Sequence, residues 1–402
     1  MSLTRRGLLK AGLLLGGAAV VGSGAGVLWR LARPKHSGLS VQTSGKATEG
    51  GCPSLVERLD KFAQNIVSGG VPPDGIPPIE NPRYLSADEA EAALTGGSIP
   101  RTSGKPRPIA EPTAALGGLL RDDSIVFGMD YRGVVKAFPQ IILVWHEIVN
   151  EESSGEQISI TYCPLTGSVV GYRGGSFNFG TSGRLLNSNL VMYDRPTKSY
   201  WPQILGMAVK GEKKGEELGS FPIIWTTWGR WKAVYPQTLV LTAETGYVRA
   251  YGRDPYGSYQ QEDTYYQSGG PFFPVMARNG RFPPKKVVVG VRVKDCALAI
   301  PKEEFRAVKA LNTALATEPI VALYDEPLDV VRVYSRRIEG EGDVLTFERT
   351  DGRFLDAETG SEWTAGGRAL RGPLKDARLK SVNHFDVMWF AWYAFYPNTR
   401  VL

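Results

Sequence analysis

Four separate blocks of this chain recur about 162 residues further along, and self-similarity at domain length constrains a fold more than any composition does. Gly128 to Pro139 reads GMDYRGVVKAFP, and Gly290 to Pro301 reads GVRVKDCALAIP. ISITY, ending at Tyr162, returns as IVALY, ending at Tyr324. YDRPTKSYW holds Asp194, Thr197, Ser199 and Trp201, and LDAETGSEW holds Asp356, Thr359, Ser361 and Trp363 at the same displacement. The register then slips by one, because WGRWKAVYPQTLVL from Trp228 to Leu241 matches WFAWYAFYPNTRVL from Trp389 to Leu402.

Within each block the short apolar runs are rich in Val, Ile, Tyr, Phe and Trp and are broken by Gly and Pro, which predicts strands. Two helices are expected. One is SADEAEAAL, opening at Ser86 with Glu89 three residues on as a capping box, and the other is FRAVKALNTAL from Phe305. The expected fold is a β-rich α+β arrangement of two tandem structural repeats packed with approximate twofold pseudo-symmetry, plus an N-terminal extension. The expected divisions are 1–35 as a twin-arginine signal or membrane anchor, 36–115 as a Gly/Pro-rich extension with a short helix, and 116–241 as the first repeat. A Tyr-rich connector follows at 242–284, then the second repeat at 285–402.

The opening segment places Arg5 and Arg6 ahead of Leu8, Leu9 and Lys10, then runs uncharged to Trp29, which is the order of a twin-arginine export signal. Its many Gly and Ala residues make it only weakly hydrophobic, and this favours a signal over a plain spanning helix. No A-x-A site precedes Pro34, so cleavage and retention as an anchor both stay open. The expected address is periplasmic or on the outer face of the cytoplasmic membrane. The expected partners are the twin-arginine machinery and, where the signal is retained, that membrane.

Residues 1–35 carry six basic residues and no acidic one, which equals the whole net charge of +6. Without them, 41 basic residues face 41 acidic ones, so the body has no electrostatic case for binding nucleic acid. The three cysteines, Cys52, Cys163 and Cys296, are too few for a disulfide scaffold. They allow one disulfide and leave at least one thiol.

Residues shared by both copies mostly serve the fold, and chemistry is sought where one copy departs from the other. The shared Asp/Thr/Ser/Trp block reads as a turn in which the carboxylate accepts backbone N–H groups. Against it stand Cys163, aligned with Asp325, His146, aligned with Val308, and His384, aligned with Ile223. A thiol and two imidazoles suit a copper, zinc or iron ion held by Cys163, His146 and His384, or a Cys163 thiolate activated by His146 as a catalytic pair. The alternative for each histidine is a hydrogen-bonded core residue. The connector concentrates tyrosines, and Tyr256 and Tyr259, with Asp194, are the candidate ligand-binding residues; pinning the loop to the lobes is the alternative role of those rings. His146-Glu147 lacks the second histidine of a zincin, and neither a phosphate loop nor a G-x-S-x-G elbow is present.

The runs ISITYCPLTGSVVGY, FGTSGRLLNSNLVMYDRPTKSYWPQ and MWFAWYAFYPNT resemble the exported bacterial and archaeal proteins of domain-of-unknown-function family 3179, over roughly residues 80 to 402. The resemblance implies thiol or selenol redox chemistry or soft-metal ligation, since the family turn matching residues 163–167 often reads Cys-Pro-Leu-Cys-Gly and some relatives are selenoproteins. Thr166 stands here in place of the second cysteine, which removes a dithiol cycle and leaves Cys163 as a lone thiol or ligand. Two functions therefore compete. One is an exported redox or metal protein centred on Cys163; the other is a non-catalytic envelope module that binds a glycan, peptide or partner protein along its tyrosines. A hydrolase using Asp194 and Glu147 is a weaker third, with no motif behind it.

Overall fold

A computed structural model describes residues 52–94, 120–174, 178–267, 269–338 and 344–402. The expected signal at 1–35 lies outside them. Of the described residues strand accounts for 41% and helix for 12%, a β-rich structure with several sheets. Among the described residues no helix is long and apolar enough to cross a membrane.

Two series of elements follow one another in the same order. The first opens with the hairpin Ile125–Tyr131 and Val134–Pro139, a short helix Gln140–Leu143, and the meander Ile148–Ser153, Glu156–Cys163 and Ser168–Arg173. The second opens with the hairpin Val287–Val293 and Cys296–Pro301, the helix Lys302–Val308, and the meander Ala310–Leu315, Glu318–Asp325 and Val330–Ser335. Each series closes alike. Ile224–Thr227 and Asn383–Met388 pair antiparallel with the first strand of their own hairpin, then lead into helices Trp228–Val234 and Trp389–Phe395. Leu239–Leu241 and Arg400–Val401 then pair parallel with the hairpin's second strand.

The shared glycines have a steric cause. A Cβ on Gly128 would lie 2.2 Å from the Trp231 ring, and one on Gly290 would lie 2.4 Å from the Trp392 ring. Both indoles are held in place by donating to a threonine hydroxyl, Trp231 to Thr238 and Trp392 to Thr399, each at 2.9 Å. Gly128→Ala and Gly290→Ala are each expected to cost about 1–3 kcal/mol by overpacking. The measurement is the denaturant midpoint, with Gly280→Ala, where a Cβ meets only open space, as the control.

The Ser86 box forms as expected, with the Glu89 N–H donating to Ser86 Oγ at 3.2 Å and Ser86 N–H donating to Glu89 Oε2 at 2.8 Å. The second predicted helix is shorter than its sequence suggests. It stops at Val308, Lys309 turns left-handed with φ 67°, and Ala310–Leu315 continues as a strand paired with Glu318–Asp325. Pairing along the whole of that strand outweighs the helical preference of Ala and Leu in the run.

The largest apolar cluster draws on both series, on the connector tyrosines Tyr251, Tyr256, Tyr265 and Tyr266, and on Leu55, Leu59 and Phe62 of the extension. A disulfide joins Cys52 to Cys296 and ties that extension to the second hairpin. The two series also touch reciprocally. Met388 N–H of the second donates to the Thr166 carbonyl of the first at 2.9 Å, and Thr226 Oγ1 of the first donates to the Leu328 carbonyl of the second at 2.6 Å.

Candidate functional site

The turn from Cys163 to Ser168 is buried throughout. Beneath it Asn189 Nδ2 donates to Thr166 Oγ1 at 3.0 Å and to Gln203 Oε1 at 2.8 Å, while Ser168 Oγ donates to the same Gln203 oxygen at 2.7 Å. Thr166 Oγ1 and Ser168 Oγ are 2.8 Å apart, so Thr166 is a member of a closed polar network. Above it, Tyr265 OH donates to the Leu165 carbonyl at 2.6 Å. Asn187 and Ser188 make the neighbouring tight turn with φ of 52° and 63°, and they hold the connector through Met276 N–H and Phe273 N–H.

Cys163, the last residue of the strand Glu156–Cys163, is therefore sealed. It is 0% exposed, and Leu190 N–H donates to its sulfur at 3.3 Å. His146 is equally buried. Its Nδ1–H donates to the Pro77 carbonyl at 2.7 Å, which fixes the tautomer and leaves Nε2 to accept from Tyr251 OH at 2.6 Å. That bond occupies the lone pair a metal would need. His384 lies on the strand Asn383–Met388 and donates from Nδ1 to the Val382 carbonyl at 2.7 Å. Burial is the main cause that lowers both imidazoles to about 4, so both are neutral near pH 7.

The expected set of Cys163, His146 and His384 is not brought together. Among the described residues no group of three or more His, Cys, Asp or Glu is placed to hold a metal ion. The separation arises because each group is absorbed into its own packing. Asp194 is likewise committed to the fold: it accepts from Thr197 N–H at 2.7 Å, Ser199 N–H at 3.1 Å and Trp201 Nε1 at 3.0 Å. Burial pushes its carboxyl up, but those donors outweigh it and hold the group below the usual carboxylate range. Asp356 takes Thr359 N–H and Trp363 Nε1 in the same way, at 2.6 and 2.8 Å.

Two cavities adjoin the connector instead. The larger, about 550 Å³, is lined by Trp225, Tyr259 and Tyr266 together with Lys285, Lys302 and Asp386. It also contains Ile125 and Val287, the first residues of strands Ile125–Tyr131 and Val287–Val293. Trp225 and Asp386 are likewise equivalent positions, each pairing with the third residue of that strand, Phe127 and Val289. The frame of the cleft is thus doubled while its chemistry is not. Aromatic and charged residues share its lining, and Lys302 and Asp386 form a largely buried ion pair.

The smaller cavity, about 310 Å³, shares Ile125 and Tyr259 with the larger one. Tyr259 stacks on Tyr266 at 3.7 Å and 15°, and Tyr162 OH lies 2.9 Å from Tyr259 OH. Behind the stack, Asp254 Oδ2 accepts from Gln140 Nε2 at 2.7 Å and from Tyr266 OH at 2.8 Å. Burial raises the Asp254 carboxyl above its ordinary range. Of the predicted ligand-binding residues, Tyr259 reaches this cleft, whereas Tyr256 is packed inside against Tyr265 at 5.9 Å. Neither Cys163 nor His146 lines either cavity.

All of these features fall within residues 73–399, which match the model of a family described as proteins of unknown function, DUF3179. The chain belongs to the DUF3179 family. No curated protein and no solved structure matches it. In this DUF3179 protein the residues that sequence reasoning missed are Trp225 and Asp386, with Lys285 and Lys302 beside them. The sequence does carry a signal for them, since displacement by 161 aligns Trp225 with Asp386, a difference between the copies that involves neither sulfur nor imidazole.

Proposed function

We propose that this DUF3179 protein is a non-catalytic binding module of the cell envelope. Its ligand occupies the cleft at the junction of two repeats and combines a flat apolar face with an anionic group. The observation that carries this reading is that Trp225 and Asp386, an aromatic side chain and a charged one at equivalent positions, both line one cavity. Tyr259 and Tyr266 extend the aromatic lining, where a planar group gains most from stacking. Lys285 lies buried against the Tyr265 ring, and burial lowers its ammonium to about 8, which still leaves it mostly charged near pH 7. An anion placed beside it offsets part of the cost of burying that charge.

The two series are taken as tandem repeats related by an approximate twofold, the first within 116–241 and the second within 285–402. The reciprocal bonds support this, because a twofold contact requires that each unit give the other the surface it receives: Met388 to Thr166, and Thr226 to Leu328. The Cys52–Cys296 disulfide supports an oxidising compartment, and with it export by the twin-arginine route to the periplasm or the outer membrane face.

Anilinonaphthalene sulfonate, an aromatic anion, is the first probe. It is expected to bind one saturable site, weakened about tenfold or more in Trp225→Ala and in Lys285→Met, and unchanged in Cys163→Ser. Equal affinity in Trp225→Ala, read by fluorescence titration, removes the cleft as the site.

A further inference from the structure

Resting on that cleft reading, we propose that the two cavities are neighbouring subsites for one extended ligand, an acidic oligosaccharide that crosses the edge of Tyr259. Three observations carry it. The cavities share Ile125 and Tyr259 as a common wall, and Tyr259 is only partly buried, so its edge is reachable from both sides. Their linings also differ in the way a sugar chain requires. The smaller is furnished with short-range donors and acceptors, Arg121, Asp123, Ser124, Gln140, Ser258 and Gln260. Such a set matches a ligand that presents many hydroxyl groups, each both donor and acceptor. The larger cavity adds Trp225 and a lining of four basic residues, Lys285, Lys286, Lys302 and Arg306, against two acidic ones, Glu303 and Asp386, an excess that suits a unit bearing a carboxylate.

An extended peptide is the competing occupant, because Ile224–Thr227 and Asn383–Met388 are edge strands of their sheets and peptides held in grooves of β-proteins usually add to such an edge; tetraglutamate is the probe for it.

The test is calorimetric titration of the full exported chain with galacturonate, tetragalacturonate, uncharged cellotetraose and tetraglutamate. Tetragalacturonate is expected to bind about a hundredfold more tightly than the monomer, because the second subsite is filled intramolecularly. Gln260→Ala should lower the affinity of the tetramer and leave that of the monomer unchanged. Tyr259→Ala should close the gap between them. A tetramer that binds no better than the monomer overturns the two-subsite proposal. Equal binding of cellotetraose overturns the acidic part, and tighter binding of tetraglutamate overturns the saccharide. If every saccharide fails while the naphthalene probe still depends on Trp225, this inference falls and the cleft reading stands. If the probe fails as well, both fall.

Discussion

Acidification from pH 7 to pH 4 is expected to remove several kcal/mol of stability, on the order of 3 kcal/mol for each of His146 and His384. The sign follows from linkage. Both imidazoles are lowered from 6.5 to about 4 in the folded protein, chiefly by burial. The carbonyls of Pro77 and Val382 act the other way, and Arg249 and Arg332 add to the lowering. Between those two values the unfolded chain binds more protons than the folded one, so stability is complete above pH 6.5 and is lost as pH falls towards 4. Guanidinium titrations at pH 7, 5.5 and 4 would measure the slope. Substituting each histidine by glutamine should remove its share of the slope in that window, whatever the substitution does to stability at pH 7. A wild-type midpoint that is flat from pH 7 to 4.5 would show that the imidazoles are not held neutral in the core.

The doubling of the element order was legible because steric needs leave marks at fixed spacing. A glycine under a tryptophan, Gly128 under Trp231 and Gly290 under Trp392, leaves no room for a Cβ without overpacking, and an Asp that must accept from a Trp indole seven residues on keeps both partners. The helix at Ala87–Leu94 was legible through its capping box, which is local. The end of the helix at Val308 was not, because it depends on the strand Glu318–Asp325 offering a partner to Ala310–Leu315. Similarly, rarity of a residue type guided the choice of Cys163, His146 and His384, yet rarity carries no information about burial. A thiol that takes the Leu190 N–H and an imidazole with both nitrogens engaged can be singular in sequence and still be packing. The cleft escaped for the opposite reason. Trp, Lys and Asp are ordinary residues, and only the meeting of two separate hairpins with the connector gathers Trp225, Asp386 and Tyr259 at one cavity.

Reducing the Cys52–Cys296 bond is expected to lower stability by about 2–5 kcal/mol and to do so without touching Cys163. The bond spans 244 residues of sequence, so cutting it restores a large share of the unfolded chain's freedom. It also clamps the extension: Leu55 N–H donates to Asp295 Oδ1 at 3.1 Å beside it, and Phe62 packs 5.8 Å from Phe395. Cys52 is exposed, so a reductant reaches the bond in the folded protein, whereas Cys163 has no exposed surface. Two measurements follow on one sample. The guanidinium midpoint should fall on reduction, and Cys296→Ser should reproduce that fall and make the midpoint insensitive to reductant. Iodoacetamide added to the reduced native protein should label the exposed Cys52 promptly and the buried Cys296 more slowly, and should spare Cys163 until denaturant is added. Prompt native labelling of Cys163 would place its thiol at an accessible site, and chemistry at the Cys-Pro-Leu-Thr-Gly turn would then take precedence over binding in the cleft.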